Sequence, residues 1–142
     1  MRVVLDTNVL ISALLVGRST SALLINAWRR GAFELLTCEL QLEEIRAVTR
    51  REHIRSLIRP ALAGELVNQL RSMAQWIDSL PRVERSIDPF DNFLLAMAQC
   101  GQADVLVSGD KRGVLALQTH GTCQIVTVRQ FVTQFGRMPK SE

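Results

Sequence analysis

Four acidic residues stand beside apolar segments of the sequence. Asp6 directly follows the strand-like segment RVVL, and Asp110 comes two residues after the segment DVLVS. Glu44 and Asp91 lie in helix-like segments, each on a helix face whose other residues are apolar. Carboxylates gathered without partners repel one another, and some take up protons. Because Mg²⁺ and Mn²⁺ prefer oxygen ligands and keep waters for chemistry, the pattern predicts a divalent-metal site formed by these four acids.

Each acid also has an ordinary explanation. A lone aspartate after a strand, such as Asp6, usually caps a turn or a helix. At 100° per residue, Leu40, Glu44, Ala47 and Val48 share one helix face, so Glu44 interrupts an apolar stripe. Such a glutamate is costly to bury unless it is paired, protonated or bound to a cation. The alternative is a glutamate at the rim of the core that reaches solvent or an arginine.

The second helical acid begins the segment DNFLLAMAQC. Asp91, Leu94, Leu95 and Ala98 fall at i, i+3, i+4 and i+7, so an acid again heads an apolar stripe. Asp88, with a proline after it, is typical of an N-cap, and Asp91 would then be an acid favoured by the helix dipole. Capping by Asp88 and metal binding by Asp91 are compatible.

These acids require a fold in which strands and helices alternate. The strand candidates are RVVL (2–5), FELLT (33–37), DVLVS (104–108), CQIVTV (123–128) and, more weakly, RVERSI (82–87). The helix candidates are 19–30, 40–58, 61–77, 90–100, 112–119 and 129–135. This alternation predicts an α/β domain with a parallel sheet covered on both faces. Ligands of such sheets bind at the carboxyl ends of strands, although spacing alone does not show that two strands are neighbours.

Length and composition are those of a single globular domain spanning 1–142. The chain has 142 residues, 47% of them apolar, and a mean hydropathy of +0.12. Its longest apolar stretch, VLISALLV, is too short to span a membrane, and no targeting segment is recognisable. Three dispersed cysteines favour a reduced compartment over disulfides or zinc. We therefore expect a cytoplasmic protein.

The basic residues are almost all arginines. Only two of the seventeen are lysines, and five arginines fall within IRAVTRREHIRSLIRP. Arginine binds phosphate through two donors, so a nucleic-acid backbone is one interpretation and a solvated helix face is the other. If the substrate carries phosphates, the candidates to bind its backbone are Arg46, Arg50, Arg51 and Lys111.

Four segments in this order resemble a PIN domain: VVLDTNVLISALL, ELQLEEIRAV, DPFDNFLLAMA and DVLVSGDKRGVL, each with one of the acids. The resemblance runs over about 2–135, and it is strongest to small bacterial PIN proteins of toxin–antitoxin systems, similar to VapC toxins. It implies a three-layer α/β/α sandwich with a central parallel sheet of four or five strands. It also implies Mg²⁺- or Mn²⁺-dependent endonucleolytic cleavage of RNA.

The resemblance assigns roles residue by residue. Asp6, Glu44, Asp91 and Asp110 match the metal-binding and catalytic acids of the family. Three further residues match supporting positions, namely Asn8, Asp88 and Ser108. Asn92 departs from the pattern, because some relatives have another acid there, and this departure bears on the affinity for a second metal. The implied partners are RNA, a cognate antitoxin and a second copy of the chain.

Three other readings compete with a ribonuclease. A phosphatase of the haloacid-dehalogenase type also begins with a strand and an aspartate, but it needs a second aspartate where this chain has Asn8. A phospho-receiver domain needs its accepting aspartate after a middle strand, which does not match. The third reading is a catalytically silent PIN-fold module that binds RNA or regulates, because a domain can keep its fold and lose its chemistry.

Overall fold

Strands and helices alternate along most of the chain in the computed structural model, which describes residues 1–15, 19–86, 91–109 and 113–135. The strands are β1 (Arg2–Leu5), β2 (Glu34–Thr37), β3 (Gln75–Trp76), β4 (Val105–Val107), β5 (Thr119–His120) and β6 (Cys123–Val126). The helices are α1 (Thr7–Leu15), α2 (Thr20–Arg29), α3 (Glu39–Thr49), α4 (Glu52–Arg55), α5 (Pro60–Met73), α6 (Asn92–Cys100) and α7 (Val128–Phe135). A 3₁₀ helix covers Val114–Leu117.

The strands form one sheet in the order β3-β2-β1-β4-β6-β5. All neighbouring pairs are parallel except β5 and β6, which form an antiparallel hairpin at the edge. The two central strands, β1 and β4, pair with Leu5 opposite Val107. Their carboxyl ends therefore lie side by side, which the sequence spacing alone does not predict.

The sheet carries apolar cores on both faces. Successive residues of a strand point to opposite sides, so Val3 and Leu5 pack into a core with α1, α2, α3, α5 and α7. Val4, between them, packs into a second core with α6. Each of these three side chains is fully buried. The predicted three-layer α/β/α class is confirmed, with five strands parallel and the short β5 added at one edge.

Several predicted elements differ in type or length. The apolar segment after Asp6 forms α1, which was not among the helix candidates. Asp6 caps this helix, and the apolar residues of α1 belong to a core that also contains residues of β1, α2 and α3. The proposed strand at 82–87 is wrong over 82–86, which has no strand pairing. Two short strands were not predicted, namely β3, at the end of the segment predicted to be a helix over 61–77, and β5.

The long helix predicted over 40–58 is divided into α3 and α4. In the described part of the helix predicted over 112–119, the structure has a short 3₁₀ helix at Val114–Leu117, and Thr119 begins β5. Helix α2 begins with a side-chain cap, because the Ser19 hydroxyl accepts a hydrogen bond from the Ala22 amide at 3.1 Å. Gly31 follows its end with φ 82°, a conformation that glycine adopts without strain.

No single helix within the described ranges is both long and apolar enough to cross a membrane. Helices α1 and α2 reach that length and composition only as a bent pair. Leu10 and Leu24, one from each, are buried in the protein core.

Candidate active site

Asp6 directly follows the carboxyl end of β1, at the point where that strand pairs with β4. Its backbone amide donates to the Val107 carbonyl at 2.9 Å, which extends the ladder by one residue. The Ser108 hydroxyl, next along β4, donates to Asp6 Oδ2 at 2.7 Å. Asp6 is 5% exposed and Ser108 is fully buried. The pairing of β1 with β4 thus brings together a predicted ligand and a predicted supporting residue.

Asp6 also caps helix α1, so the ordinary explanation for an aspartate after a strand is confirmed. Its carbonyl accepts from the Val9 amide at 2.9 Å, and its Oδ1 accepts from the backbone amide of Asn8 at 3.2 Å. Asn8 itself is exposed. The recorded hydrogen bond from Asn8 comes from its main chain, which any residue other than proline would provide. The predicted supporting role of the Asn8 side chain is not explained by this contact.

Glu44 is half-buried on α3, but the face predicted for this helix is wrong. Leu40 is 50% exposed, and the buried residues of α3 are Gln41, Leu42 and Ile45. The inward face is therefore rotated relative to the predicted stripe, and Glu44 lies at its margin. The adjacent Glu43 is exposed.

Gln41 is a buried polar residue that the sequence reasoning missed. Its side-chain nitrogen donates to the Leu5 carbonyl at 2.7 Å, and its side-chain oxygen accepts from the Thr37 hydroxyl at 2.8 Å. Gln41 is 1% exposed and Thr37 is fully buried. The signal was present, because Gln41 stands four residues before the buried Ile45 and interrupts the true apolar stripe.

Asp91 directly precedes α6 and is 7% exposed. Helix α6 packs across β1, β2 and β4 and leads into β4. A helix that connects parallel strands runs back along them, so its first turn lies toward their carboxyl ends. The Ser86 hydroxyl donates to Asp91 Oδ2 at 3.4 Å. Asp91 occupies the N-cap position of α6, but its side chain makes no capping hydrogen bond to that helix. Its burial at the start of the helix is compatible with the helix-dipole explanation and with metal binding.

Asn92 holds the chain segment that leads to Asp91. Its Oδ1 accepts from the backbone amides of Arg85 at 3.1 Å and Ser86 at 2.9 Å. This contact gives Asn92 a structural role that the departure from the family pattern did not indicate.

The remaining predicted residues, Asp88, Asp110 and Lys111, lie outside the described residues. Within the part of the chain that the structure describes, no three histidine, cysteine, aspartate or glutamate side chains could hold a metal together. The four-acid set therefore stays a prediction, with Asp6, Glu44 and Asp91 as its described members.

Comparison with known proteins fixes the family. A profile of the PIN domain family matches residues 2–112. The chain belongs to the PIN domain family. No curated protein sequence matches it. Among solved structures, a similar chain occurs in the crystal structure of VapBC2 from Rickettsia felis bound to a DNA fragment from their promoter. It is 12% identical, with a TM-score of 0.59, over 89% of this chain and 98% of that chain, and the likeness shows the fold alone.

The donor chemistry of this PIN domain fits a hard divalent cation. The three described members of the predicted set, Asp6, Glu44 and Asp91, offer carboxylate oxygens, the ligand type that Mg²⁺ and Mn²⁺ prefer. Cys38, directly before α3, is a free, buried thiol. Burial raises the pKa of the Cys38 thiol, so it stays protonated and is a poor metal ligand. Among the described donors, the carboxylates are therefore the ones suited to such an ion.

The arginines of the PIN domain lie beside α3. Arg46 and Arg50 line a groove against α5, together with Arg55, whereas Arg51 is exposed at the beginning of α4. On α3, Arg46 is two residues from Glu44, which places the two side chains about 160° apart around the helix. The groove is therefore a neighbouring basic surface, separate from the face that carries Glu44.

Proposed function

We propose that this PIN domain is a divalent-metal-dependent endoribonuclease and the toxin component of a toxin–antitoxin pair. The observation that carries the proposal is the buried Asp6 carboxylate at the carboxyl ends of the two central strands, held by Ser108 at 2.7 Å. Two further findings support it. The sequence belongs to the PIN domain family, and its four segments resemble those of VapC toxins.

In this proposal Asp6, Glu44, Asp91 and Asp110 hold one or two Mg²⁺ or Mn²⁺ ions. When bound, such an ion supplies a water of lowered pKa and neutralises the charge that develops on a phosphodiester. The protein itself fixes the orientation of the Asp6 carboxylate. Ser108 holds one Asp6 oxygen, and the helix-capping contact to the Asn8 amide occupies the other, so the carboxylate cannot rotate freely.

The arginines would bind the RNA backbone. Arg46 is partly engaged with Glu39, at 3.8 Å and with both side chains well exposed, and such a pair contributes little to stability. It can therefore exchange Glu39 for a phosphate at small cost. Arg50, Arg51 and Lys111 are proposed as further contacts to the RNA backbone, and Asp88 and Asn8 as supports of the acids.

The remaining partners follow from exposed apolar side chains and from the family. Leu23 on α2 is 57% exposed and Leu62 on α5 is 42% exposed, and exposed apolar residues of this kind can form an interface. We propose that an antitoxin or a second copy of the chain covers them. We also propose that residues 1–142 act as one cytoplasmic domain.

The decisive experiment measures Mn²⁺ binding and RNA cleavage on the same preparation. The nuclease proposal expects both in the wild-type protein and neither in the Asp91→Asn variant, whose folding is checked by circular dichroism. A protein that binds RNA without cutting it and does not bind Mn²⁺ would instead be the silent RNA-binding module. Full cleavage by a folded Asp91→Asn variant would exclude Asp91 from the site.

A further inference from the structure

Gln41 is the polar member of the three buried residues of α3. It is 1% exposed, and both ends of its amide make short hydrogen bonds. Nε2 donates to Leu5 at the end of β1, and Oε1 accepts from Thr37 at the end of β2. Since β1 and β2 are neighbouring parallel strands, one side chain joins α3 to the carboxyl ends of both.

These contacts fix Gln41 in one place. The pairing of β1 with β2 reaches Val4, which lies opposite Leu36. One residue further, the Leu5 carbonyl accepts from the Gln41 amide. A buried carbonyl left without a partner is unfavourable, and the Thr37 hydroxyl is equally enclosed. Moving α3 away from the sheet edge would break both hydrogen bonds together.

The Gln41 side chain joins two points of the main chain that each lie beside a predicted metal ligand. Asp6 follows Leu5 directly in the chain, and Glu44 lies three residues after Gln41 on α3. Residues three apart are neighbours on a helix surface. The Gln41 amide thus connects the main chain beside one ligand to the helix turn that carries the other.

We infer that Gln41 is a positioning residue that sets the separation between the Asp6 and Glu44 carboxylates. The inference rests on the proposed function, and it goes beyond it by naming a residue that touches neither metal nor substrate. Partners that orient metal ligands without binding the metal typically change affinity or activity by 10- to 100-fold when they are removed. Small displacements of reacting groups lower rates by similar factors.

The test compares three variants of the full chain. Gln41→Met keeps a similar volume but loses both hydrogen bonds, and it is expected to weaken Mn²⁺ binding by about 10- to 100-fold. Thr37→Val leaves the contact with Leu5 in place and should weaken binding less. Ile45→Val on the same helix removes one buried methylene and should leave Mn²⁺ affinity unchanged.

Mn²⁺ affinity is measured from the free-ion paramagnetic resonance signal, with thermal unfolding of each metal-free variant alongside. An equal loss of affinity in Gln41→Met and Ile45→Val at equal loss of stability would show a merely structural role and overturn the inference. Unchanged affinity in folded Gln41→Met also overturns it, as does unchanged affinity in Thr37→Val if Gln41→Met does not fold. If the wild-type protein neither binds Mn²⁺ nor cleaves RNA, the proposed function itself fails.

Discussion

Replacing Asp6 by asparagine is the sharpest test of the candidate site, because the two side chains have almost the same shape. The asparagine oxygen can still accept from the Asn8 amide, and the Ser108 hydroxyl can turn to accept from the new amide group. The substitution therefore removes a negative charge while leaving two hydrogen bonds in place.

The stability of the metal-free variant can be worked out from those two bonds. A hydrogen bond to a charged group contributes about 1.5–3 kcal/mol and a neutral one about 0.5–1.5 kcal/mol. Losing the charge on Asp6 should therefore cost about 2–3 kcal/mol over both bonds. Relief of repulsion from neighbouring carboxylates acts in the opposite direction. We expect the metal-free Asp6→Asn variant to be destabilised by at most about 3 kcal/mol.

The response to metal should change much more. A ligand at 100 times its dissociation constant stabilises the folded state by about 2.7 kcal/mol, and one at its dissociation constant by about 0.4 kcal/mol. A 100-fold loss of Mn²⁺ affinity, the upper figure for partners that merely orient ligands, would reduce the stabilisation from the first value to the second. At about 4 °C per kcal/mol for a chain of this size, the Mn²⁺-induced rise in Tm should fall from about 10 °C to about 2 °C.

Asp104 provides the matched control. It lies directly before β4, at the opposite end of that strand from Ser108, and its Oδ2 accepts from the Arg2 backbone amide at 2.8 Å. The Asp104→Asn variant loses the same charge and should keep both the Mn²⁺ response and RNA cleavage. A full Mn²⁺ response in Asp6→Asn, or an equal loss in Asp104→Asn, would refute the placement of the site.

Three further predictions concern single contacts. Ser108→Ala removes the 2.7 Å bond to Asp6 and should lower the free energy of unfolding in urea by about 1.5–3 kcal/mol. Ser108→Thr should restore most of that stability, and equal stability of Ser108→Ala and wild type would contradict the prediction. Burial and the Arg85 guanidinium lower the pKa of His120, so the free energy of unfolding should fall below pH 6.5 because the unfolded chain binds the proton more readily. His120→Gln should flatten this dependence of stability on pH, and an unchanged dependence would count against the prediction. Burial raises the pKa of Cys123 to about 12, so at pH 8 a thiol reagent should modify the exposed Cys100 in the native protein and all three cysteines only after unfolding. Rapid labelling of Cys123 in the native state would contradict the structure.

The strands around Asp6 could be predicted because their residues are apolar on both faces. Val3, Val4 and Leu5 are all fully buried, as a central parallel strand requires. The contact between Asp6 and Ser108 could not be predicted from spacing, because 102 residues separate them. It depends on β1 and β4 being neighbours, and that order is set by how all the helices pack.

The prediction of which face of α3 is buried was wrong, and the reason lies in two residues. Leu40 was counted as a core residue because it is apolar, whereas Gln41 was not counted because it is polar. The structure reverses both, leaving Leu40 half exposed and enclosing Gln41 between two strand ends. Hydrophobic periodicity cannot identify a buried amide whose partners come from distant strands, although such buried polar groups are the ones that must find partners.

Asn92 is the position at which the chain departs from the family pattern, where some relatives have an acid. Its side-chain oxygen accepts from the backbone amides of Arg85 and Ser86, and an aspartate could accept the same two hydrogen bonds. These two hydrogen bonds therefore do not favour asparagine over aspartate at this position. The difference is charge, because an aspartate would place a second carboxylate directly after the buried Asp91. Asparagine holds the segment that leads to Asp91 without adding to the repulsion that a bound cation has to offset.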